Sequence, residues 1–194
     1  MLGDFMDKVG IIGAGSLGTA LAQIVAQNVD EVYLHMRREE LANTINTIGI
    51  NNEYYPNTKL EDNIIATTDY NDLKDCKIIF LSIPSSAFRE TLSEIEDYID
   101  ENTILVSTAK GIEYPTLKTM GNIINEYYDD GYVSLSGPNF ASEMVLNLET
   151  VSNIASKNKE NAEKVKEVLS TPKFKIKILD DVIGLEICGI VKNI

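Results

Sequence analysis

The sequence predicts an α/β fold in which a doubly wound, mostly parallel sheet is flanked by helices. Short β-rich runs alternate with helical stretches along the chain, which is typical of parallel strands joined by helical crossovers. The run 77–81 (KIIFL) is apolar without alternation, as expected for a central strand buried on both faces. The 194 residues, 44% of them hydrophobic, are enough for one domain with a buried core.

Eight strands and five longer helices are predicted in chain order. Each strand is a short β-rich run, and each helix is a longer stretch with apolar residues three or four apart. The predicted strands are Val9–Ile12, Glu31–Met36, Ile64–Thr67, Lys77–Ile83, Thr103–Ser107, Tyr132–Leu135, Val151–Ala155 and Phe174–Leu179. The predicted helices are Ser16–Gln27, Arg38–Thr47, Ala87–Tyr98, Leu117–Tyr128 and Lys159–Leu169, with a short one after Pro138. Glycine, asparagine and proline make residues 48–60 a long loop.

The last segment predicts a helix of a different kind. Asp181 is a good N-cap for a helix that begins at Val182. Apolar residues lie almost all round this helix as far as Ile194, so it requires burial on several sides. We therefore expect residues 1–180 to form the main domain and residues 181–194 to begin a helix that leads into a second domain. An unpaired helix of this kind can also drive a homodimer.

A glycine motif follows the first predicted strand. Gly13, Gly15 and Gly18 form a G-x-G-x-x-G pattern between that strand and a helix, which is the setting of a dinucleotide site. Gly13 permits a sharp turn, Gly15 lets a pyrophosphate approach the backbone, and Gly18 allows helix and strand to pack closely. The helix N-terminus offers N–H groups and partial positive charge to the phosphates. A purely structural glycine turn is the alternative.

Composition excludes several classes of partner. The net charge of −13 and the pI of about 4.5 argue against nucleic acid and against anionic membranes. No leader sequence and no stretch long enough to span a bilayer is recognisable. Cys76 and Cys188 show no metal-binding or redox spacing, so we expect no metal site, and we interpret both as buried thiols in a reducing compartment, the cytoplasm.

The second strand ends in residues that bear on the cofactor. Sites that prefer NAD commonly carry an acidic residue about 20 positions after the first glycine. That window holds His35 here, followed by Arg37 and Arg38. Arginine can clamp a 2′-phosphate through its planar guanidinium, so the sequence favours NADP over NAD or tolerance of both. The alternative is a solvated helix start.

Two later strand ends carry further candidates. Ligands in a doubly wound sheet bind beyond the carboxyl ends of the strands. Lys110 follows the fifth strand and is well placed for an anionic substrate or the nicotinamide ribose, although it is equally consistent with a surface lysine. Gly137 follows the sixth strand, where it forms either a second small anion site or a tight turn.

Together these motifs identify a family. The chain resembles the N-terminal domain of the bacterial and archaeal NAD(P)-dependent glycerol-3-phosphate dehydrogenases, with a Rossmann-like fold. The matching stretches run in the family's order, and they are Gly13–Ala22, Arg37, residues 52–56 (NEYYP), Ile83–Ser85 with Phe88-Arg89, residues 109–113 (AKGIE), residues 136–141 (SGPNFA), Asp181–Gly184 and Lys192-Asn193.

The resemblance implies roles for individual residues. Those implied to bind the cofactor are Gly13, Gly15, Ser16, Leu17, Gly18, Arg37, Arg38, Tyr54, Lys110 and Ala141. Those implied to bind a small phosphorylated substrate are Lys110, Gly137, Asn139, Lys192 and Asn193. The chain departs from the family at Leu17, where a bulky aromatic residue is usual, and at Asn139, where Ser or Thr is more common.

The implied reaction interconverts sn-glycerol 3-phosphate and dihydroxyacetone phosphate for phospholipid synthesis. Lys192 matches the family's catalytic lysine, and a lysine can exchange the hydroxyl proton when burial and a nearby cation, here Lys110, lower its pKa. The family continues into an all-helical domain that supplies a catalytic aspartate and an Arg-Asn pair for the phosphate, so we expect this chain to bind NADP or NAD and to turn over poorly. Two alternatives are a related hydroxyacid or ketopantoate reductase and a non-catalytic dinucleotide-binding module.

Overall fold

The computed structural model describes residues 8–100, 102–128 and 131–192, and these form an eight-stranded sheet with helices on both faces. The strands are β1 (Lys8–Ile12), β2 (Glu31–His35), β3 (Ile64–Thr67), β4 (Ile78–Leu81), β5 (Ile104–Ser107), β6 (Val133–Ser136), β7 (Thr150–Ala155) and β8 (Phe174–Leu179). The α-helices are α1 (Ser16–Val25), α2 (Glu39–Ile48), α3 (Phe88–Ile95), α4 (Met120–Ile124), α5 (Ala141–Val145), α6 (Lys159–Leu169) and α7 (Val182–Val191). Short 3₁₀ helices cover Tyr70–Leu73 and Ser85–Ala87.

The sheet has the predicted doubly wound topology. The strand order is β3-β2-β1-β4-β5-β6-β7-β8, so the chain reverses direction across the sheet between β1 and β4. These two strands pair in parallel with Val9 opposite Ile78 and Ile12 opposite Leu81. Ligands of open α/β sheets bind at such a reversal, beyond the carboxyl ends of the strands. The fold therefore directs attention to the loops after β1 and β4.

One strand pair departs from the parallel arrangement. β7 runs antiparallel to β6, with Leu135 opposite Ile154, and then pairs in parallel with β8. The connection between β6 and β7 contains only the five-residue helix α5, whereas parallel strands are usually joined by a longer crossover helix. The prediction of a mostly parallel sheet is confirmed, and this pair is its exception.

Two hydrophobic layers cover the two faces of the sheet. Helices α1, α2, α5 and α6 pack on one face, and α3, α4 and α7 pack on the other. The most deeply enclosed helix is α1, in which eight of ten residues are buried, from Gly18 to Val25. Because α1 follows the glycine turn directly, this buried helix anchors the turn to the hydrophobic core.

The helix predicted at Leu117–Tyr128 is much shorter in the structure. Leu117 has a positive φ of 58°, and the backbone folds back so that the Glu113 N–H donates to the Lys118 carbonyl at 2.9 Å. Helix α4 begins only after Thr119, whose side chain forms a reciprocal capping box with Asn122. The capping residue therefore sets the start of this helix at Met120, three residues later than the apolar pattern suggested.

Other predicted boundaries hold to within a few residues, and residues 48–60 contain the predicted loop beyond the end of α2. Cys76 is buried as expected, whereas Cys188 is exposed, which corrects the sequence interpretation. It lies on α7, only part of whose surface contacts the rest of the fold. Within the described ranges, no helix combines the length and the apolar character that a membrane crossing requires.

Candidate functional site

A cleft of about 880 Å³ lies at the carboxyl ends of β1, β2, β4 and β5. The glycine turn after β1 lines its centre, Arg37 and Arg38 after β2 line one end, and Lys110 after β5 lines the other. Residues that are distant in the sequence thus face one cavity, as the strand-end argument predicts. Its volume lies within the range of small-molecule and cofactor sites.

The three glycines have different surroundings. Gly13 has a φ of 107°, a conformation that residues with a β-carbon rarely adopt. A β-carbon on Gly18 would overlap the Gly13 carbonyl oxygen, so this position requires a close backbone approach. At Gly15 a β-carbon would meet only the Tyr54 hydroxyl, at 4.0 Å. Gly13 and Gly18 therefore build the turn, and Gly15 leaves space in front of it.

The first turn of α1 opens into this cleft. Gly15 is the N-cap residue, and no side chain forms a capping hydrogen bond there within the described part of the chain. The N-terminal N–H groups of a helix lack partners inside the helix, and together with the helix dipole they favour an anion. Ser16 and Leu17 line the same wall. The turn is suited to a phosphate group.

Two side chains of the 48–60 loop hold the turn in place. Asn51 is fully buried, and its amide donates to the Ala14 carbonyl at 3.0 Å and to the Thr19 hydroxyl at 2.9 Å. The Tyr55 hydroxyl lies 2.7 Å from the Ser16 hydroxyl. Sequence reasoning missed both residues, because nothing in their local pattern shows which distant turn they contact.

The end of the cleft after β2 contains aromatic and charged residues. His35 is buried and stacks on Tyr70 with ring centroids 4.0 Å apart, and burial lowers the pKa of His35. The Tyr70 hydroxyl donates to Glu94 at 3.1 Å. The pKa of Tyr70 is raised to about 12, mainly by burial and secondly by the hydrogen bond with Glu94. His35 is therefore a wall of the cleft.

The two arginines at this end differ in their partners. Arg37 is exposed and lines the cleft. Arg38 forms a two-pronged ion pair with Glu53, and this pairing raises the pKa of Arg38. Two further carboxylates, Glu90 and Glu94, line the same part of the cleft. The structure thus brings both predicted arginines to the cleft, and among the described residues none forms such an ion pair with Arg37.

Lys110 lies at the opposite end. Its ammonium group donates to the Gly137 carbonyl at 3.4 Å. Burial lowers the pKa of Lys110, and the charge of Lys192 lowers it further. The fold therefore brings the lysine after β5 and the lysine at the end of α7 within electrostatic reach of each other. A lowered lysine pKa increases the fraction of neutral amine that can accept a proton.

A smaller cavity of about 140 Å³ adjoins the main cleft at this end. Leu17, Thr108 and Lys110 line both cavities. Gly137, Asn139 and Ala141 line only the smaller one among the cavities described. This arrangement brings most of the predicted substrate residues together.

The Asn139 side chain is already engaged. Its amide donates to the Val151 carbonyl at 2.6 Å and to the Thr150 hydroxyl at 3.0 Å. Only its carbonyl oxygen remains for a ligand, and an oxygen of this kind accepts hydrogen bonds from hydroxyl groups rather than binding phosphate. Asn139 thus joins the loop after β6 to β7 and offers one acceptor to the cavity.

Lys192 follows the last residue of α7 and is exposed. Its ammonium group lies 5.5 Å from the centre of the Phe140 ring, a cation–π distance. Asn193, the other residue predicted at this point, lies outside the described residues. The sequence predicts that burial lowers the pKa of Lys192. In the structure Lys192 is exposed, and it is the pKa of Lys110 that burial lowers.

Helix α7 has an N-cap within its own first turn and a hydrogen bond to α4. The Asp181 side chain accepts from the Gly184 N–H at 2.8 Å, which confirms it as the N-cap. Glu186 accepts from the Gly121 N–H at 2.9 Å, and burial raises the pKa of this carboxyl. The opposite side of α7 exposes Ile183, Ile187 and Val191. The expectation of burial on several sides is thus met on one side only in this chain.

An ion-pair cluster holds the loop that follows Lys110. Arg89 on α3 donates through Nε to Glu113 at 2.6 Å and through a terminal nitrogen to Glu126 at 2.5 Å. Lys118 also donates to Glu126, at 2.7 Å. These contacts lower the pKa of Glu113 and of Glu126 to about 2 in each case. The cluster ties residues 113–118 to α3 and to the segment that follows α4.

Comparison with known proteins agrees with this geometry. Residues 8–162 match the family model described as NAD-dependent glycerol-3-phosphate dehydrogenase N-terminus. The chain is 38% identical to glycerol-3-phosphate dehydrogenase [NAD(P)+] of Halothermothrix orenii, over 97% of this chain and 55% of that protein. It is 40% identical to the same enzyme of Leptospira biflexa, over 96% and 58%.

A solved structure extends the comparison to the fold. The crystal structure of glycerol-3-phosphate dehydrogenase from Coxiella burnetii superimposes with a TM-score of 0.91 and 30% sequence identity, over 97% of this chain and 58% of that one. The chain thus spans little more than half the length of the relatives that it matches. The match covers most of this chain, and the chain belongs to the family of NAD-dependent glycerol-3-phosphate dehydrogenase N-terminal domains.

Proposed function

We propose that this chain is the cofactor-binding part of an NAD(P)-dependent oxidoreductase that interconverts sn-glycerol 3-phosphate and dihydroxyacetone phosphate. The observation that carries the proposal is the shared cleft, in which a glycine turn and Lys110 face one cavity of about 880 Å³. The family membership supports it. On its own the chain binds NAD or NADP and turns over slowly, because the relatives are nearly twice as long.

The phosphate part of the dinucleotide binds at the glycine turn. Gly15 leaves open space, and the first N–H groups of α1 face it without a capping side chain in the described chain. Backbone N–H groups at a helix start are suited to a pyrophosphate. Ser16 and Leu17 form the adjacent wall. In this proposal a dinucleotide needs no large rearrangement of the turn.

The adenosine part extends toward Arg37. The exposed guanidinium of Arg37 can hold a 2′-phosphate, which favours NADP slightly. Arg38 contributes less, because Glu53 already occupies its guanidinium. Tyr54 is 46% exposed at the rim of the cleft and flanks the cofactor.

The nicotinamide and the substrate occupy the end near Lys110. When bound, the nicotinamide ring supplies or accepts the hydride. Lys110, Gly137 and Asn139 contact the phosphorylated substrate, and Ala141 lines the cofactor. Because Lys110 and Lys192 lie within electrostatic reach of each other, we assign the hydroxyl proton to this lysine pair. The resemblance to the family makes Lys192 the catalytic base or acid in this proposal. Asn193 is proposed as a neighbouring substrate contact.

The setting of the protein is also part of the proposal. Both cysteines are free, which is consistent with a reducing compartment, and we assign the cytoplasm. The exposed side chains Ile183, Ile187 and Val191 on α7 are consistent with a homodimer. Light scattering of the purified chain tests the dimer, and a monomer at all concentrations contradicts it.

Calorimetric titration with NADP and NAD tests the cofactor assignment. We expect Arg37→Asp to weaken NADP binding by more than about tenfold and NAD binding by much less. Equal losses for the two cofactors would reject a 2′-phosphate contact at Arg37.

Carbonyl reduction by the full-length protein tests the substrate class. Dihydroxyacetone phosphate is compared with ketopantoate and with small 2-oxo acids. We expect the phosphorylated substrate to give the highest kcat/KM, and Lys192→Met to lower kcat strongly. Preference for a carbonyl compound without a phosphate would overturn the assignment.

A further inference from the structure

The Tyr55 hydroxyl lies within hydrogen-bond distance of two atoms of one residue. It is 2.7 Å from the Ser16 hydroxyl oxygen and 3.0 Å from the Ser16 carbonyl oxygen. Tyr55 is only 9% exposed, whereas the Ser16 side chain lines the cleft in front of α1. A buried tyrosine hydroxyl thus lies behind the half-buried Ser16 at the cleft.

Counting the protons shows that this pair has two arrangements. A tyrosine hydroxyl has one proton to donate. If Tyr55 donates to the Ser16 carbonyl, the Ser16 hydroxyl must donate to Tyr55, and only its lone pairs then face the cleft. If Tyr55 donates to the Ser16 hydroxyl oxygen instead, the Ser16 proton is free to point into the cleft. In this arrangement the Ser16 carbonyl oxygen still accepts the helical hydrogen bond from the backbone N–H four residues later in α1.

We propose that Tyr55 is a positioning residue for the phosphate subsite. When a pyrophosphate binds, the Ser16 hydroxyl turns its proton from Tyr55 to the pyrophosphate and accepts the Tyr55 proton instead. This inference rests on the proposed dinucleotide function. A bound pyrophosphate oxygen accepts the Ser16 proton, and the Tyr55 proton rotates onto the Ser16 oxygen. No bond other than hydrogen bonds forms or breaks.

The surroundings keep the two hydroxyl groups in register. Asn51, four residues before Tyr55, is fully buried and binds Ala14 and Thr19 on either side of the turn. The loop that carries Tyr55 is thereby attached to the same turn as Ser16. Burial raises the pKa of Tyr55, so the phenol keeps its proton at neutral pH. Successive hydrogen bonds also polarise one another, which strengthens the donor that faces the phosphate.

A double-mutant cycle tests this role. The variants are Tyr55→Phe, Ser16→Ala and the double variant, and the probe is ADP-ribose, which carries the pyrophosphate without the nicotinamide. We expect Tyr55→Phe to raise the Kd for ADP-ribose about fivefold, the size of one lost hydrogen bond. In the Ser16→Ala background the same change is expected to leave the Kd unaltered, because the hydroxyl that Tyr55 orients is gone.

A matched control separates binding from folding. Tyr33→Phe removes a part-buried hydroxyl that donates to Glu31 at 2.9 Å on β2, and we expect it to leave the Kd unchanged. Urea unfolding of every variant measures any loss of stability. If Tyr55 had only a structural role, Tyr55→Phe would cause the same loss in the wild type and in the Ser16→Ala variant.

The outcomes are distinct. An unchanged Kd in Tyr55→Phe, or an equal loss with and without the Ser16 hydroxyl, overturns the role of Tyr55 while the proposed function stands. A wild-type chain that binds neither NAD, NADP nor ADP-ribose overturns the proposed function and this inference together. A fivefold loss that depends on Ser16 supports both.

Discussion

Glu53 occupies the guanidinium of Arg38 through two hydrogen bonds at the mouth of the cleft. The two residues come from different segments, Arg38 from the start of α2 and Glu53 from the 48–60 loop. A bidentate pair of this kind fixes the geometry of an arginine. It therefore decides which of the two adjacent arginines is available to a ligand.

Glu53→Gln is expected to raise the affinity for NADP about threefold, with NAD affinity unchanged. The substitution releases Arg38 toward a 2′-phosphate. Calorimetric titration of both cofactors at low and high salt measures the effect, which salt should weaken. Asp62→Asn is the control, since it makes the same charge change at an exposed pair with Lys59. Equal gains for both cofactors would contradict a specific release of Arg38.

Gly15→Ala and Gly18→Ala are expected to fail in different ways. At Gly18 the added methyl group meets the Gly13 carbonyl, so the free energy of unfolding should fall by about 3 kcal/mol or more. At Gly15 the nearest atom is 4.0 Å away, so stability should stay within about 1 kcal/mol, while the affinity for NAD falls tenfold or more because the methyl group occupies the phosphate space. Urea unfolding and calorimetry measure the two effects. A stable Gly18→Ala variant would refute the close approach.

Asn51→Ala is expected to lower the free energy of unfolding by about 2–3 kcal/mol. Asn51 is fully buried, and its loss leaves the Ala14 carbonyl and the Thr19 hydroxyl without this donor. Urea unfolding at neutral pH measures the loss. Asn52→Ala, at the exposed neighbouring position, is the control and should cost less than about 0.5 kcal/mol. Similar losses of unfolding free energy at the two positions would contradict a stabilising role of the two Asn51 hydrogen bonds.

Arg89→Met is expected to remove part of the acid sensitivity of the protein. The ion pairs of Arg89 hold the pKa of Glu113 and of Glu126 at about 2 in the folded protein. Since both values lie below the ordinary value of 4.5, the carboxylates stabilise the fold above about pH 4.5, and this contribution is lost as the pH falls toward 2.

The stability difference between the wild type and Arg89→Met should therefore be largest at neutral pH and shrink between about pH 4.5 and 2. Urea midpoints across this pH range measure it. Lys164→Met, which removes the partner of Glu160 in an exposed pair on α6, is the control and should give a smaller change. A difference that is independent of pH would show that Arg89 contributes through packing alone.

The general architecture could be predicted because it depends on local patterns. Apolar runs define the strands, and the G-x-G-x-x-G motif marks the turn between β1 and α1. Once the strands are parallel, residues at their carboxyl ends must share one edge of the sheet. For this reason the sequence predicts that Gly13, Arg37 and Lys110 lie at one cleft, and the structure confirms it.

The wrong predictions and the missed contact depend on how the backbone and the elements pack, which apolar patterns do not show. The positive φ of Leu117 depends on how residues 113–118 fold back on themselves, so the helix predicted there begins only after Thr119. The contact between Ser16 and Tyr55 joins residues 39 positions apart, and no local pattern reports it. The exposure of Lys192 depends on which surface of α7 meets the sheet. Apolar patterns contain neither the backbone conformation at Leu117 nor these two tertiary relations.

The enclosure of α1 has a consequence for the energetics of binding. From Gly18 onward the helix is packed between the sheet and the neighbouring helices, and its first turn is clasped by Asn51. The N-terminal end of α1 is therefore preorganised, and in the proposed function a dinucleotide loses little affinity to the ordering of backbone there. An arriving dinucleotide has only its own flexible chain to immobilise.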